Sequence, residues 1–183
     1  MAILGRSEWY QFHIDPWWYT HRELKYVNEP FNDAGSLRSW KHAGFSQHKF
    51  TGDMYDMRNT EPDWVNGFRE YFPWDHFSWS AYRMGPGTVL PLHSDTYARF
   101  RELHNIDDPN NIFRAVIFLE DWESGHYFEI DNQPLLPWRA GDGVIWRNDC
   151  PHAAGNFGLT NRYTLQITGV PNEDIFVQRM GLD

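Results

Sequence analysis

The tripeptide His93-Ser94-Asp95 places an imidazole and a carboxylate two residues apart. In an extended strand, residues i and i+2 point to the same face, so both groups can approach one point in space. A second imidazole is available far downstream at His152, just beyond a strand-like run over Gly143–Trp146. Two histidines and one carboxylate on one face of an octahedron suit Fe(II) and leave the opposite face open. Two neutral imidazoles and one carboxylate leave that ion one net positive charge, which favours an anionic chelator. Taken alone, an H-x-D triplet is a weak signal, because such triplets also arise in solvated loops. A lone histidine is more often surface or satisfied core than ligand.

Arg162 strengthens the pattern. It follows His152 by ten residues and opens the run Arg-Tyr-Thr-Leu-Gln-Ile-Thr. Period-two alternation puts Tyr163, Leu165 and Ile167 on one face and Arg162, Thr164, Gln166 and Thr168 on the other. A polar inner face suits a barrel that holds a polar ligand. Arginine is the natural partner of a carboxylate, through two parallel charged hydrogen bonds. Thr164 adds a hydroxyl on the same face.

These groups need a scaffold that brings distant strands together. Short strand-like runs over Phe77–Met84, Val89–His93, Phe113–Leu119, His126–Ile130, Gly143–Trp146 and Arg162–Thr168 alternate with Gly, Pro and Asn/Asp punctuation. Such a series predicts a mainly β sandwich or jelly roll with flanking helices. Thr96–His104 reads as a short helix or ordered loop. Residues 61–72 read as a helix, with Trp64, Phe68 and Tyr71/Phe72 at three-to-four spacing and Pro62 in the first turn. Asn28–Gly44 is rich in turn-formers and reads as loop. The division expected is a single domain over 1–183. Within it, residues 1–75 form an aromatic-rich helical and loop region packed on the sandwich, 76–170 the β core and 171–183 a tail.

The order H-x-D, a distant His, then Arg-x-Thr ten residues on resembles the Fe(II)/2-oxoglutarate-dependent dioxygenase superfamily. Met84–His93 is similar to the segment before the first iron-binding His in aspartyl/asparaginyl β-hydroxylase-like proteins. The run from Arg114 to His126 is similar to a strand and turn in prolyl-hydroxylase-like members, and Ala140-Gly141-Asp142 is also common in the superfamily. The resemblance spans residues 77–170, about half the chain. It implies a double-stranded β-helix in which His93, Asp95 and His152 bind Fe(II) and act as the catalytic centre. It also implies that Arg162 holds the distal carboxylate of 2-oxoglutarate, with Thr164 beside it. Tyr82, eleven residues before His93, stands where the β-hydroxylases place a hydroxyl on the co-substrate. The activity implied is an oxygenase that consumes O2 and hydroxylates an amino acid, a peptidyl side chain or a related small metabolite, with succinate and CO2 as co-products. Three features depart from the relatives. Aspartyl-type β-hydroxylases lack a carboxylate at Asp95, many prolyl hydroxylases carry Lys at Arg162, and Val116 aligns with a second histidine of the β-hydroxylases. Related halogenases lose the carboxylate to admit halide, so Asp95 favours hydroxylation.

Two further residues are candidate substrate contacts. Arg114 faces the pocket in the expected register and can meet an anionic substrate, or else forms a salt bridge at the sandwich edge. Trp146 lines the pocket or fills the core. His126 reads as structural, Cys150 as a buried inert thiol. His13, His21, His42, His48, His76 and His104 have no ligand-like spacing.

Composition narrows the rest. The chain has 183 residues, enough for a hydrophobic core, with 17% aromatic residues and ten Trp. Sixteen basic against 25 acidic residues give a net charge of -9, a poor match to a phosphate backbone, so a small molecule or peptide rather than nucleic acid is the expected partner. One cysteine excludes an internal disulfide. The start Met1–Arg6 lacks the apolar stretch of a secretory signal, and no run approaches the ~18 apolar residues of a membrane span. A cytoplasmic protein with no membrane association is expected, and nothing in the sequence points to an oligomeric state. Two other classes fit parts of the pattern: a cupin-type metal enzyme without 2-oxoglutarate, and a non-catalytic ligand-binding sandwich.

Overall fold

The computed structural model describes residues 9–46, 50, 52–147 and 149–171. The start Met1–Arg6, His48 and residues 172–183 of the expected tail lie outside them. The strands are β1 (Trp9–His13), β2 (Tyr26–Asn28), β3 (Asp53–Tyr55), β4 (Asp75–Met84), β5 (Val89–His93), β6 (Phe113–Phe118), β7 (His126–Ile130), β8 (Gln133–Pro134), β9 (Asp142–Arg147), β10 (His152–Asn156) and β11 (Arg162–Val170). The helices are α1 (Ala34–His42), α2 (Val65–Tyr71) and α3 (Ala98–His104). None of the described helices is long and apolar enough to cross a membrane.

The strands form two antiparallel sheets. One has seven strands in the order β1-β9-β6-β11-β4-β3-β2, the other four in the order β5-β10-β7-β8. Chain neighbours are repeatedly separated in space, and β11 ends up between β4 and β6. This is the mainly β double-stranded β-helix expected. The alternation expected for β11 holds on both faces. Tyr163, Leu165 and Ile167 join an outer core with Ala115, Ile117, Ile145, Trp79 and Ala81. Phe118, Val144, Trp146 and Met84 point the other way, into an inner core shared with Phe128, Ile130 and Ala154 of the small sheet.

The first 75 residues do more than pack on the sandwich. They supply β1, β2 and β3, which extend the large sheet at both edges. These strands are only three to five residues long, and their aromatic-rich sequences lack clean alternation, so no period-two signal marks them. Of the three described α-helices α2 covers the outer face, where Phe68 packs against Trp17 and Trp18 of the preceding loop at ring separations of 4.5 and 5.2 Å. The turn-rich stretch Asn28–Gly44 is not a loop but contains α1. Asp33 caps that helix by accepting a hydrogen bond from Ser36 N at 2.6 Å, so a turn-former here starts a helix. Trp40 then anchors α1 to β5 by donating from Nε1 to the Leu92 carbonyl at 3.0 Å. The strand β10 carries no sequence signal either: His-Ala-Ala-Gly-Asn has no β-branched residue, and it is a strand because β5 and β7 flank it.

At the β1 edge a glycine is obligatory. Gly141 has φ +93°, and a Cβ there would stand 2.0 Å from the Ile14 carbonyl oxygen.

Phe68 is fully buried at the centre of the outer core. Phe68→Ala is expected to destabilise the fold by about 3–5 kcal/mol, the usual cost of emptying a Phe site. Urea denaturation followed by tryptophan fluorescence measures it, and a loss below ~1 kcal/mol would mean that the outer aromatic layer is not part of the cooperative core.

Candidate metal centre and anion pocket

The site is built where β5 meets β10. His93 and His152 are direct partners across these antiparallel strands, and their rings lie 4.3 Å apart. The register then shifts, so that Ala154 faces Leu90 rather than Pro91. Pro91 cannot donate to a ladder, and an irregularity at an edge strand is where proline is tolerated. The carbonyls beside this irregularity are used. His93 Nδ1 donates to the Pro91 carbonyl at 2.9 Å, and His152 Nδ1 donates to the Cys150 carbonyl at 3.1 Å. A carbonyl only accepts, so each Nδ1 carries the proton and each Nε2 keeps its lone pair.

Asp95 completes the set. Its Oδ1 lies 4.0 Å from His93 Nε2 and its Oδ2 lies 3.7 Å from His152 Nε2. One ligand atom from each residue falls within 4.8 Å of the other two, a spacing that a single ion can bridge. Burial lowers the His93 pKa to about 4, with His152 adding to the effect, and burial lowers His152 as well. Both rings are therefore neutral near pH 7, the state a metal requires. Burial alone would raise the Asp95 pKa, but Arg114, His152 and His93 outweigh it and hold the carboxyl below the usual range. The residues fit a divalent ion: Asp95 Oδ2 is buried, has no hydrogen-bond partner among the described residues and lies 3.7 Å from the lone-pair nitrogen of His152.

Arg162 is placed as expected, on the inner face of β11 and buried. Among the described residues no carboxylate pairs with it. Its Nη1 meets only the Met84 sulfur at 3.2 Å, and its Nε has no partner. The guanidinium stands 5.6–5.8 Å from the ring centroids of Phe118, Phe128 and Trp138. Burial in this aromatic box lowers its pKa to about 10, so it stays charged. A buried cation with no counter-charge is costly and calls for an anion. Thr164 lies on the same face, buried, with Tyr82 and Phe118 as its cross-strand partners.

Arg114 does point inward, as its register predicts, but its charge is engaged. Nη1 donates to Asp95 Oδ1 at 2.5 Å and Nε to Thr168 Oγ1 at 3.3 Å. The salt bridge is to Asp95 of the candidate metal cluster and not at the sandwich edge. Trp146 is fully buried, 4.8 Å ring to ring from His152, and forms the wall behind that ligand. His126 is buried and stacks on Trp138, in keeping with a structural role. Cys150 is buried, and burial pushes its thiol up to about 12, so it is inert.

Sequence reasoning misses several groups. Trp138, Phe118 and Phe128 wall Arg162, and a tryptophan outside any strand carries no periodic signal. Phe31 and Trp40 set their rings edge-on to His93 at 5.6 and 5.5 Å, from a stretch whose turn-formers hide its helix. Tyr97 lies two residues beyond Asp95 with φ +50°, a conformation unusual for a bulky residue.

No protein-family profile matches the chain, and no curated protein matches its sequence. Solved structures do match. A prolyl-4-hydroxylase from Pseudomonas putida is 16% identical, with a TM-score of 0.53, over 90% of this chain and 92% of that one. An oxidoreductase of the 2OG-Fe(II) oxygenase family from Burkholderia pseudomallei is 17% identical, with a TM-score of 0.39, over 51% of this chain and 43% of that one. A cupin protein from Bacteroides fragilis is 13% identical, with a TM-score of 0.38, over 57% and 75%. At these identities the likeness concerns the fold. The chain folds as a double-stranded β-helix, a fold it shares with the Pseudomonas putida prolyl-4-hydroxylase.

The lone charge of Arg162 has a measurable cost. Arg162→Met keeps most of the volume and removes the uncompensated cation. It is expected to raise the stability of the ligand-free protein by on the order of 1–3 kcal/mol. Thermal denaturation without added ligand checks this, and a lower Tm would mean that Arg162 already has a compensating partner.

Proposed function

We propose that this protein is an Fe(II)- and 2-oxoglutarate-dependent oxygenase that hydroxylates an amino acid, a peptidyl side chain or a related small metabolite. The observation that carries the proposal is a buried guanidinium with no counter-charge among the described residues, in the same interior as a two-histidine, one-carboxylate cluster. When bound, iron would activate O2, the oxidant; one oxygen atom would go into the substrate C–H bond and the other into succinate as 2-oxoglutarate is oxidised to succinate and CO2.

The chain's own residues divide the work. His93, Asp95 and His152 hold the ion, with the proton-bearing Nδ1 atoms of the two histidines tied back to carbonyls so that Nε2 is presented. Arg162 takes the distal carboxylate of the co-substrate through its charged fork. Thr164 and Tyr82 face each other across β11 and β4 and offer hydroxyls along the same pocket. Phe118, Phe128 and Trp138 exclude water around that ion pair, which strengthens it. Asp95 fills the carboxylate position, and the reading is therefore hydroxylation rather than halogenation. A cupin-type enzyme acting without 2-oxoglutarate has no use for the Arg162 charge.

Anaerobic titration with Fe(II) and then 2-oxoglutarate is expected to give a visible charge-transfer band in wild type, none in His152→Ala, and none or a far weaker one in Arg162→Met. Succinate release in the presence of candidate substrates then identifies the acceptor. Wild-type protein that binds Fe(II) but shows neither the band nor any 2-oxoglutarate affinity would remove the co-substrate and favour the cupin-type enzyme. No metal uptake at all would favour a non-catalytic binding protein.

A further inference from the structure

We infer that Arg114 is a positioning residue that locks Asp95 into one-point coordination, engaging Oδ1 in a charged hydrogen bond and leaving Oδ2 for the metal. The inference rests on reading His93, Asp95 and His152 as a metal site.

The two oxygens of Asp95 have different surroundings. Oδ1 accepts from Arg114 Nη1 at 2.5 Å. Oδ2 is buried without a hydrogen-bond partner and lies 3.7 Å from His152 Nε2. An oxygen held by a short charged hydrogen bond is a poor second ligand, because moving it to a metal breaks that bond. The ion therefore meets one oxygen.

Arg114 is itself restrained on two further sides, as a positioning group must be. Its Nε donates to Thr168 Oγ1 at 3.3 Å, its cross-strand partner on β11. Its guanidinium carbon lies 4.9 Å from the Tyr97 ring centroid. Tyr97 is buried in a left-handed conformation that bulky residues rarely adopt. Such strain persists only where surrounding contacts enforce it, and it recurs at functional sites. Here it turns the ring onto Arg114 only two residues after the ligand that Arg114 holds.

Coordination number gives the restraint a purpose. Two imidazoles and a one-point carboxylate occupy three positions of an octahedron and leave three. A two-point carboxylate would leave two, which a two-point chelator fills completely, closing the site to anything else. Holding Oδ1 on Arg114 keeps the last position open.

Mn(II) is the probe, as a spin-active stand-in for Fe(II). Mn(II) titrations followed by electron paramagnetic resonance are made on wild type, Arg114→Met, Arg114→Lys and Thr168→Val, with near-ultraviolet circular dichroism as the control for folding. Arg114→Met is expected to weaken Mn(II) binding by roughly 10–100-fold, the usual effect of removing a group behind a ligand. At saturating Mn(II), its resonance is expected to change shape and its 2-oxoglutarate affinity to fall, as a freed Oδ1 takes a further position. Arg114→Lys is expected to recover part of both. Thr168→Val, which keeps the volume and loosens Arg114 through Nε, is expected to shift both in the same direction by less, and it carries the test if Arg114→Met does not fold. Wild-type affinity and an unchanged resonance in all three variants would overturn the inference while leaving the metal site standing. Wild-type protein that takes up no Mn(II) would overturn the metal reading and this inference with it.

Discussion

Everything at the candidate metal centre depends on one pairing, that of β5 with β10. Antiparallel register sets His93 directly opposite His152, and the irregularity beside them frees the Pro91 carbonyl to hold the first ring while the Cys150 carbonyl holds the second. A slip of one residue would send one imidazole to the opposite face of the small sheet, because side chains alternate along a strand. Asp95, just past the end of β5, follows wherever that strand is placed. The large sheet contributes restraint, through Trp146 behind His152 and Arg114 on Asp95.

The two buried arginines show how one interior treats like charges differently. Arg114 is compensated: Asp95 and Thr168 take its protons and Tyr97 covers its face. Arg162 sits further along the same inner surface among Phe118, Phe128 and Trp138, with a sulfur as its only hydrogen-bond acceptor among the described residues. Rings near a cation recover part of the lost hydration but do not replace a counter-ion. A fold selected for stability alone would have filled this position with an apolar side chain. Departures of this kind from local consistency mark places where function outweighs stability.

The outer face of the large sheet carries none of this chemistry, and its role is to keep the sheet in one geometry. Trp17, Trp18 and Trp64 set their rings around Phe68, and Phe72 packs on Phe12 in the same core, which accounts for much of the aromatic content of the N-terminal part. On the other side of the molecule, α1 and the residues leading into it bring Trp40 and Phe31 edge-on to His93, so N-terminal residues also wall the metal centre.

Much of the site is legible in the amino-acid sequence. His93 and Asp95 meet because they are two residues apart, although Asp95 lies just past the end of β5 rather than within it, and the alternation of β11 puts Arg162 and Thr164 on one face and separates its two faces. These are local properties, set by chain geometry within a few residues. The strand His152–Asn156 is not legible, because its small residues have little β preference and its conformation is imposed by two neighbours. The helix Ala34–His42 is hidden because Asn and Asp serve turns and helix caps alike, and only the Trp40 anchor on β5 shows which was chosen. The partners of the two arginines are equally invisible. Residue type makes each a candidate for an anion, but whether that anion belongs to the chain or must come from outside depends on which carboxylate lies within reach. Tertiary packing alone decided it, bringing Asp95 to Arg114 and, among the described residues, only aromatic rings and a sulfur to Arg162.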